Sequence, residues 1–350
     1  MTEIEVKASR SYRVLIGAGV LDRCGELSAP LVKGRRAVVC AGERVFALYG
    51  ARVLASLRAA GFAAGSCVYP SGEGAKTPET LVSIINELAG AGLDRSDAVF
   101  ALGGGVTGDM AGLAAALYQR GIACVVLPTT LLAAVDASVG GKTAVNLPAG
   151  KNQMGVFSQP RLVVCDTDCF ATLPRKVYAE GWAEVVKTAF LRPGALQALL
   201  ALPDAEARIE EIAAECVRVK RDLVAEDEFD TGARRLLNFG HTVGHAIEAC
   251  SGYTRYHGEA VAAGMAVVTR ACAARGDCPE ACLETLLALL RRFGLPERCP
   301  YGAEELLAAA RADKKRAGES ITLVLPESYG RCVLKETDFA ELGTLLELGL

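Results

Sequence analysis

All three histidines of the chain, His241, His245 and His257, fall within a short stretch near two-thirds of its length. Neutral imidazoles are common nitrogen ligands of divalent metals, and a catalytic zinc takes three protein ligands and keeps one position open. His241 and His245 are four apart in the apolar string HTVGHAIEA, so on a helix they share one face, and His257 opens the next helical string, HGEAVAAGMAVV. A single histidine on such a face is ordinarily a packed core residue; three that converge point to a metal. A carboxylate would complete the set, and Glu184 in GWAEVVK is the candidate. It stands three residues before Lys187 with two valines between. A buried charged pair of that kind needs a partner, whereas an exposed one is an ordinary i,i+3 salt bridge.

A second chemistry is written in glycine. The apolar run Ala98–Leu102 leads into Gly103-Gly104-Gly105-Val106-Thr107-Gly108-Asp109, which satisfies the G-x-G-x-x-G spacing. Glycines between a strand and a helix let backbone N–H groups approach a pyrophosphate at the helix N-terminus. The same spacing also serves a tight helix–sheet turn, so one match is weak. Ser71-Gly72-Glu73-Gly74-Ala75-Lys76 is a second such turn, with Glu73 suited to ribose hydroxyls and Lys76 to phosphate. Two glycine-rich turns at strand ends favour a dinucleotide. The segment Ser138–Gly155 then places Lys142, Lys151, Asn146 and Asn152 among glycines, and reads as a basic loop for an anion or carboxylate.

These residues need a scaffold. Arg36–Cys40, Ala64–Tyr69, Ala98–Leu102 and Ile122–Leu127 read as buried strands, with helical spacing over Val45–Ala60 and Pro78–Ala91. Such alternation predicts a parallel sheet covered by helices. Beyond about residue 175 helical patterns dominate: Arg175–Leu191, Ala205–Glu226, Leu236–Cys250, Gly258–Arg275 and Pro279–Phe293, with Ser320–Leu325 as a clear strand. The expectation is an α/β nucleotide-binding domain over 1–174 and a mainly α-helical, metal- and substrate-binding domain over 175–350.

Composition narrows the class of function. Among 350 residues, 38 Lys+Arg stand against 41 Asp+Glu, a net charge of −3, which argues against a nucleic-acid partner. Half the residues, 51%, are apolar, which excludes a disordered chain. No apolar run reaches a membrane-spanning length, and MTEIEVKASR has no apolar signal core, so a cytoplasmic protein is expected. The 13 cysteines include no C-x-x-C pair and read as buried reduced thiols.

The blocks GGGVTGDMAG, PTTLLAAVDASVGGKTAVN, GKN, GWAEVVK and LLNFGHTVGHAIE, with HGEAVAAGM downstream, resemble the 3-dehydroquinate synthase family of sugar-phosphate cyclases in order and spacing. The resemblance runs from about residue 65 to 330. It implies a dehydroquinate synthase-like fold and a phosphorus–oxygen lyase of the shikimate pathway. Such an enzyme takes 3-deoxy-D-arabino-heptulosonate 7-phosphate to 3-dehydroquinate with NAD+ and a divalent metal, Zn2+ or Co2+. It further implies that Glu184, His241 and His257 ligate the metal while His245 is a pocket residue. NAD+ would be held by Ser71, Gly72, Glu73, Gly74, Ala75, Lys76, Gly105, Val106, Thr107, Gly108, Asp109, Thr129, Thr130, Lys142, Lys151, Cys169, Phe170, Ala171 and Thr172. Lys142, Lys151, Asn152, Lys187, Lys220, Arg234, Asn238 and Lys314 or Lys315 would surround the substrate, with Asp136 in the catalytic set. Arg120 would reach the substrate phosphate of a neighbouring subunit in a homodimer; by its place after a helix alone it reads as a C-terminal dipole partner. Asp230 stands where the family pattern has Glu, Trp182 replaces a smaller residue, and Ala41–Arg44 lacks an Asp-x-Asn. The competing readings are a 2-deoxy-scyllo-inosose synthase-like cyclase, a metal-dependent polyol or glycerol-1-phosphate dehydrogenase, and a non-catalytic dinucleotide-binding protein. The last leaves the histidine, glutamate and lysine set without a purpose.

Overall fold

Apolar, β-branched runs set the frame of the first half. In the computed structural model, which describes residues 1–314 and 320–350 without the side chains of 313 and 314, they become strands β1 (Thr2–Val6), β2 (Tyr12–Gly17), β3 (Arg36–Gly42), β4 (Ala63–Tyr69), β5 (Ala98–Gly103) and β6 (Ala123–Pro128). A hairpin of β7 (Lys142–Leu147) and β8 (Gly150–Phe157) follows, and then β9 (Leu162–Asp166). Seven strands form one sheet in the order β1-β2-β9-β6-β5-β3-β4. Its pairs are parallel except β1 with β2. Every residue of β5, β6 and β9 is buried, as strands covered on both faces must be. The covering helix Pro78–Gly90 starts where Thr77 accepts a hydrogen bond from the Thr80 N–H at 3.3 Å and Pro78 occupies the first turn.

The chain forms two compact units, Met1–Leu173 with Ile209–Glu228, and Pro174–Arg208 with Phe229–Leu350. A division at 174/175 therefore leaves out one return of the chain. The helix Ile209–Glu226 carries a buried stripe of Ile212, Ala213, Cys216, Val217, Leu223 and Val224, and it packs against β1, β2 and the turn Ala133–Ala137. Helical periodicity shows that stripe but not which layer receives it.

The segment expected as an open basic loop is the β7–β8 hairpin, paired from Lys142 opposite Phe157 to Leu147 opposite Gly150. Its glycines and Pro148 hide the strand pattern. Pairing becomes possible because the hairpin lies on helix Gly105–Leu117, where a Cβ at Gly112 would come within 2.7 Å of the Thr143 methyl.

The second unit holds helices Arg175–Leu191, His241–Cys250, His257–Arg275, Glu280–Arg292, Ala303–Lys314 and Phe339–Gly349. The predicted strand at 320–325 is the first arm of an antiparallel hairpin, β10 (Ser320–Ser328) with β11 (Arg331–Asp338). Helices His241–Cys250 and His257–Arg275 touch backbone to backbone: a Cβ at Gly264 would strike the Gly240 carbonyl, and one at Gly244 would sit 3.1 Å from Val261 Cα. Trp182 is fully buried, stacked on Phe293 with ring centroids 3.9 Å apart. Among the described residues, no helix is long and apolar enough to cross a membrane.

Candidate active site

In the first unit the sheet reverses its order at β3, which has β4 on one side and β5 on the other. Ligands of open α/β sheets bind outside the carboxyl ends of the strands at such a point. There β5 ends at Gly103 and helix Gly105–Leu117 begins, with Gly104 at its N-cap, no side-chain cap and no acidic residue in its first turn. Its leading N–H groups and positive dipole end are thus left for an anion. A side chain at Gly103 would come within 2.5 Å of Thr107 Oγ1, and one at Gly104 within 3.1 Å of the Thr130 methyl.

The turn after β4 joins this edge. Gly72 has φ 106°, a backbone that favours glycine. Lys76 Nζ donates to Asp109 Oδ2 at 2.6 Å and to Asn152 Oδ1 at 2.5 Å. Asn146 Nδ2 donates to Glu73 Oε1 at 2.8 Å, and the Asn152 N–H to Asn146 Oδ1 at 2.9 Å. Burial pushes the Asp109 carboxyl up, and the Lys76 ammonium works against that rise. Lys220 is buried and donates to both the backbone oxygen and the carboxylate of Asp136. At the carboxyl end of β9, Tyr49 Oη bonds the Cys169 carbonyl at 3.2 Å and Thr172 Oγ1 at 2.5 Å. Thr129 is tied to β5 by its N–H to the Gly103 carbonyl at 2.9 Å. The two glycine turns, Lys76, Asp109, Asn146 and Asn152 therefore form one bonded group.

In the second unit, Glu184 and Lys187 lie on the buried length of helix Arg175–Leu191, each 1% exposed. Lys187 Nζ is 2.5 Å from Glu184 Oε2. Glu184 Oε1 faces His257 Nε2 at 3.5 Å and His241 Nε2 at 3.8 Å. Neither carboxylate oxygen has a well-aligned hydrogen bond, so its contacts are ionic. The other nitrogen of each ring is occupied. His241 Nδ1 is 3.2 Å from the Phe239 carbonyl and His257 Nδ1 is 3.3 Å from Glu248 Oε2. Carbonyl and carboxylate oxygens only accept here, so Nδ1 carries the proton in both rings and Nε2 turns to Glu184.

Burial holds the His241 pKa well below its usual value, with the charges of Lys187, His257 and His245 adding to the effect. His257 moves the other way. Burial opposes its charged form, yet Glu184 and Glu248 on its two nitrogens outweigh that and raise it to about 10. The ligand atoms of Glu184, His241 and His257 all lie within 4.8 Å of one another. Two imidazole nitrogens and one buried carboxylate, whose other oxygen meets the Lys187 ammonium, suit a zinc-class divalent ion, which would replace the proton between His257 and Glu184.

The remaining sequence candidates are placed as follows. The exposed ring of His245 lies 5.6 Å from that of His241, centroid to centroid. Arg234 is buried and Asn238 exposed in the turn Ala233–Asn238 that precedes the His241 helix. Lys314 ends its helix, with its side chain outside what is described, and Lys315 lies outside the described residues. Arg120 is exposed in the turn Tyr118–Arg120, between helix Gly105–Leu117 and β6. Glu248 was not singled out by spacing. It follows His245 by three in HAIEA, and its 2% exposure marks it as the acid that holds His257. Glu180 was missed as well: burial raises its carboxyl to about 7, partly offset by the Gly258 N–H and His257.

Two family models match the chain, 3-dehydroquinate synthase N-terminal over residues 66–180 and 3-dehydroquinate synthase C-terminal over 181–316. The 3-dehydroquinate synthase of Caulobacter vibrioides is 42% identical over 355 residues, covering 96% of this chain and 95% of that protein. Among solved structures, a 2-deoxy-scyllo-inosose synthase complexed with carbaglucose-6-phosphate, NAD+ and Co2+ superposes with TM-score 0.90 at 25% identity, covering 100% of both chains. A 2-epi-5-epi-valiolone synthase from Streptomyces hygroscopicus subsp. jinggangensis with NAD+ and Zn2+ bound superposes with TM-score 0.86 at 28% identity, covering 98% of each.

Proposed function

Because the chain belongs to the 3-dehydroquinate synthase family, we propose a division of the family's chemistry among its own residues. The enzyme is a phosphorus–oxygen lyase of the shikimate pathway. It converts 3-deoxy-D-arabino-heptulosonate 7-phosphate to 3-dehydroquinate and phosphate through transient oxidation, β-elimination, re-reduction, ring opening and aldol closure. The rival cyclase reading has the weaker support, since 42% identity to a 3-dehydroquinate synthase stands against 25% to the inosose synthase.

When bound, NAD+ supplies the oxidation and its reversal at a substrate alcohol, while the divalent ion polarises substrate hydroxyls. Glu184, His241 and His257 hold the ion, and the convergence of their ligand atoms within 4.8 Å is the observation that carries this reading. Lys187, against Glu184, keeps a positive charge beside the substrate hydroxyls. The turns Ser71–Lys76 and Gly105–Asp109, with Thr129, Thr130 and Cys169–Thr172, take the dinucleotide. Lys76 bridging Asp109 and Asn152 links those turns to the substrate side.

Lys142, Lys151, Asn152, Lys220, Arg234, Asn238 and Lys314 hold the substrate carboxylate, hydroxyls and phosphate. Asp136 fixes the Lys220 ammonium, and His245 lines the pocket without ligating. Oxidation acidifies the neighbouring C–H, and the substrate's own phosphate accepts that proton as it leaves. The cations accordingly serve orientation and charge stabilisation more than proton transfer.

Arg120 acts in trans within a two-fold dimer. The arginine precedes β6, whereas Thr129 and Thr130 follow it, so a six-residue strand, roughly 20 Å at 3.3 Å per residue, separates Arg120 from the dinucleotide edge of its own sheet. The enzyme works in the cytoplasm, where phosphorylated sugar acids are metabolised.

One assay tests the whole. Purified protein with zinc, the heptulosonate phosphate and NAD+ well below the substrate concentration should release phosphate over many turnovers without accumulating NADH. Stoichiometric NADH would instead identify a dehydrogenase and overturn the reading.

A further inference from the structure

The connections that lead into β3, β5, β6 and β9 enclose a cavity of about 500 Å3 at the amino ends of these parallel strands, the sheet edge opposite the glycine turns. Arg10, Lys33, Arg95, Arg120 and Arg161 line it, and no Asp or Glu does. The concentration is unusual in a chain whose net charge is −3. None of the five has an ion-pair partner among the described residues. Arg161 is exposed at the cavity rim, yet partial desolvation and the like charge of Arg10 hold it below the usual arginine range. Arg95 Nε donates to the Gln119 carbonyl at 3.0 Å, bracing the turn that carries Arg120. That turn is strained: Gln119 and Arg120 have φ 53° and 63°, a left-handed backbone that favours glycine. Half-exposed Val156 and Phe157 supply an apolar wall.

Like charges gathered in a concave space raise one another's energy, and a bound anion relieves it. Four guanidiniums match the oxygens of a phosphate in paired hydrogen bonds, and the apolar wall accepts a short carbon skeleton. We infer that Arg10, Lys33, Arg95 and Arg161 form, with Arg120, a binding site for a phosphate-bearing small anion, separate from the nucleotide turns of the same chain. Two sources share that chemistry. One is the substrate phosphate held by a partner subunit, a source that rests on the trans reading of Arg120. The other is free inorganic phosphate or a free phosphate ester.

The test uses the zinc- and NAD+-loaded enzyme, its Arg10→Gln/Arg161→Gln double variant and a Lys33→Gln/Arg95→Gln variant, all at exposed positions. Inorganic phosphate and pyrophosphate are titrated by calorimetry, and KM for the heptulosonate phosphate is measured beside kcat. If the partner's substrate is the ligand, KM rises about tenfold in both variants with kcat little changed. If a free anion is the ligand, KM stays constant and one class of phosphate or pyrophosphate sites weakens at least tenfold. Folded variants with unaltered isotherms and unaltered KM would overturn the site. Mixing Arg120→Ala subunits with a metal-ligand variant tests the trans reading separately, so the two failures are distinguishable.

Discussion

Glu184 concentrates the chemistry of the second unit in one carboxylate. It is buried against a lysine, faces two imidazole nitrogens, and lacks a well-aligned hydrogen bond of its own. Lys187 and His257 compensate its charge, but ion pairing in a buried site repays desolvation only in part, so a divalent ion held by both imidazoles would add to what keeps the carboxylate there. Glu184→Ala and His241→Ala should therefore lose the zinc ion by elemental analysis, while His245→Ala should retain it yet lose activity. A metal-free His245→Ala protein would show that His245 is a ligand after all. Glu248 acts through His257. Glu248→Gln keeps an acceptor for Nδ1–H but removes the charge behind the ring, so zinc should bind about 10–100-fold more weakly. Competition with a chelating dye reads this out without any turnover, and unchanged affinity would reduce Glu248 to a packing residue.

The elements bring these side chains together through close backbone approach. Helices His241–Cys250 and His257–Arg275 can place two rings on one carboxylate only because Gly240, Gly244 and Gly264 let them touch. Gly264→Ala drives a methyl into the Gly240 carbonyl and should cost about 1–3 kcal/mol as an overpacked contact. A thermal melt should show a drop of several degrees together with weaker zinc retention; an unshifted melt would mean that the helices separate freely. Close packing within each unit also buries most of the cysteines. Burial raises the Cys24 thiol to about 11 and those of Cys124, Cys169, Cys272 and Cys282 to about 12. A raised pKa means less thiolate below it, so at pH 8 these thiols stay protonated as well as shielded. A chromogenic disulfide reagent at pH 8 should label the half-buried Cys250 and Cys299 first, and the rest only in denaturant. Rapid native labelling of all thirteen would contradict a reduced, packed interior.

At the scale of the whole molecule, one chain carries its two glycine-rich turns at one edge of its sheet and Arg120 at the other. In the proposed dimer, Arg120→Ala and His241→Ala are each inactive as pure proteins. Equal mixing with subunit exchange makes half the dimers mixed, and one of their two sites is intact, so about a quarter of wild-type activity should return. Verified exchange with no recovery would mean that Arg120 serves its own chain, because no intact site can then form.

Much of this architecture was legible in the residues themselves. The strands 36–40, 98–102 and 122–127, the helices around Glu184 and His257, and both glycine turns follow from local patterns, since side-chain period and glycine placement are properties of neighbouring residues. Blocks such as LLNFGHTVGHAIE, in their order along the chain, also carried the resemblance to the 3-dehydroquinate synthase family, and it was that resemblance, not the spacing of the side chains, that indicated the reaction. Partners distant in sequence were not legible. The hairpin Lys142–Phe157 looked like a loop until helix Gly105–Leu117 offered it a surface, and the helix at 209–226 gave no sign that it returns to the first unit. Spacing left the three histidines equivalent; in the folded chain Glu184 faces His241 and His257 while Glu248 takes the far nitrogen of His257. The cation cavity draws on five segments between residues 10 and 161 that share no motif. Local sequence determines which elements form and which groups they carry. Which groups meet is decided only by packing, because contacts between remote segments arise when buried faces find each other and cannot be read from the periodicity of either face alone.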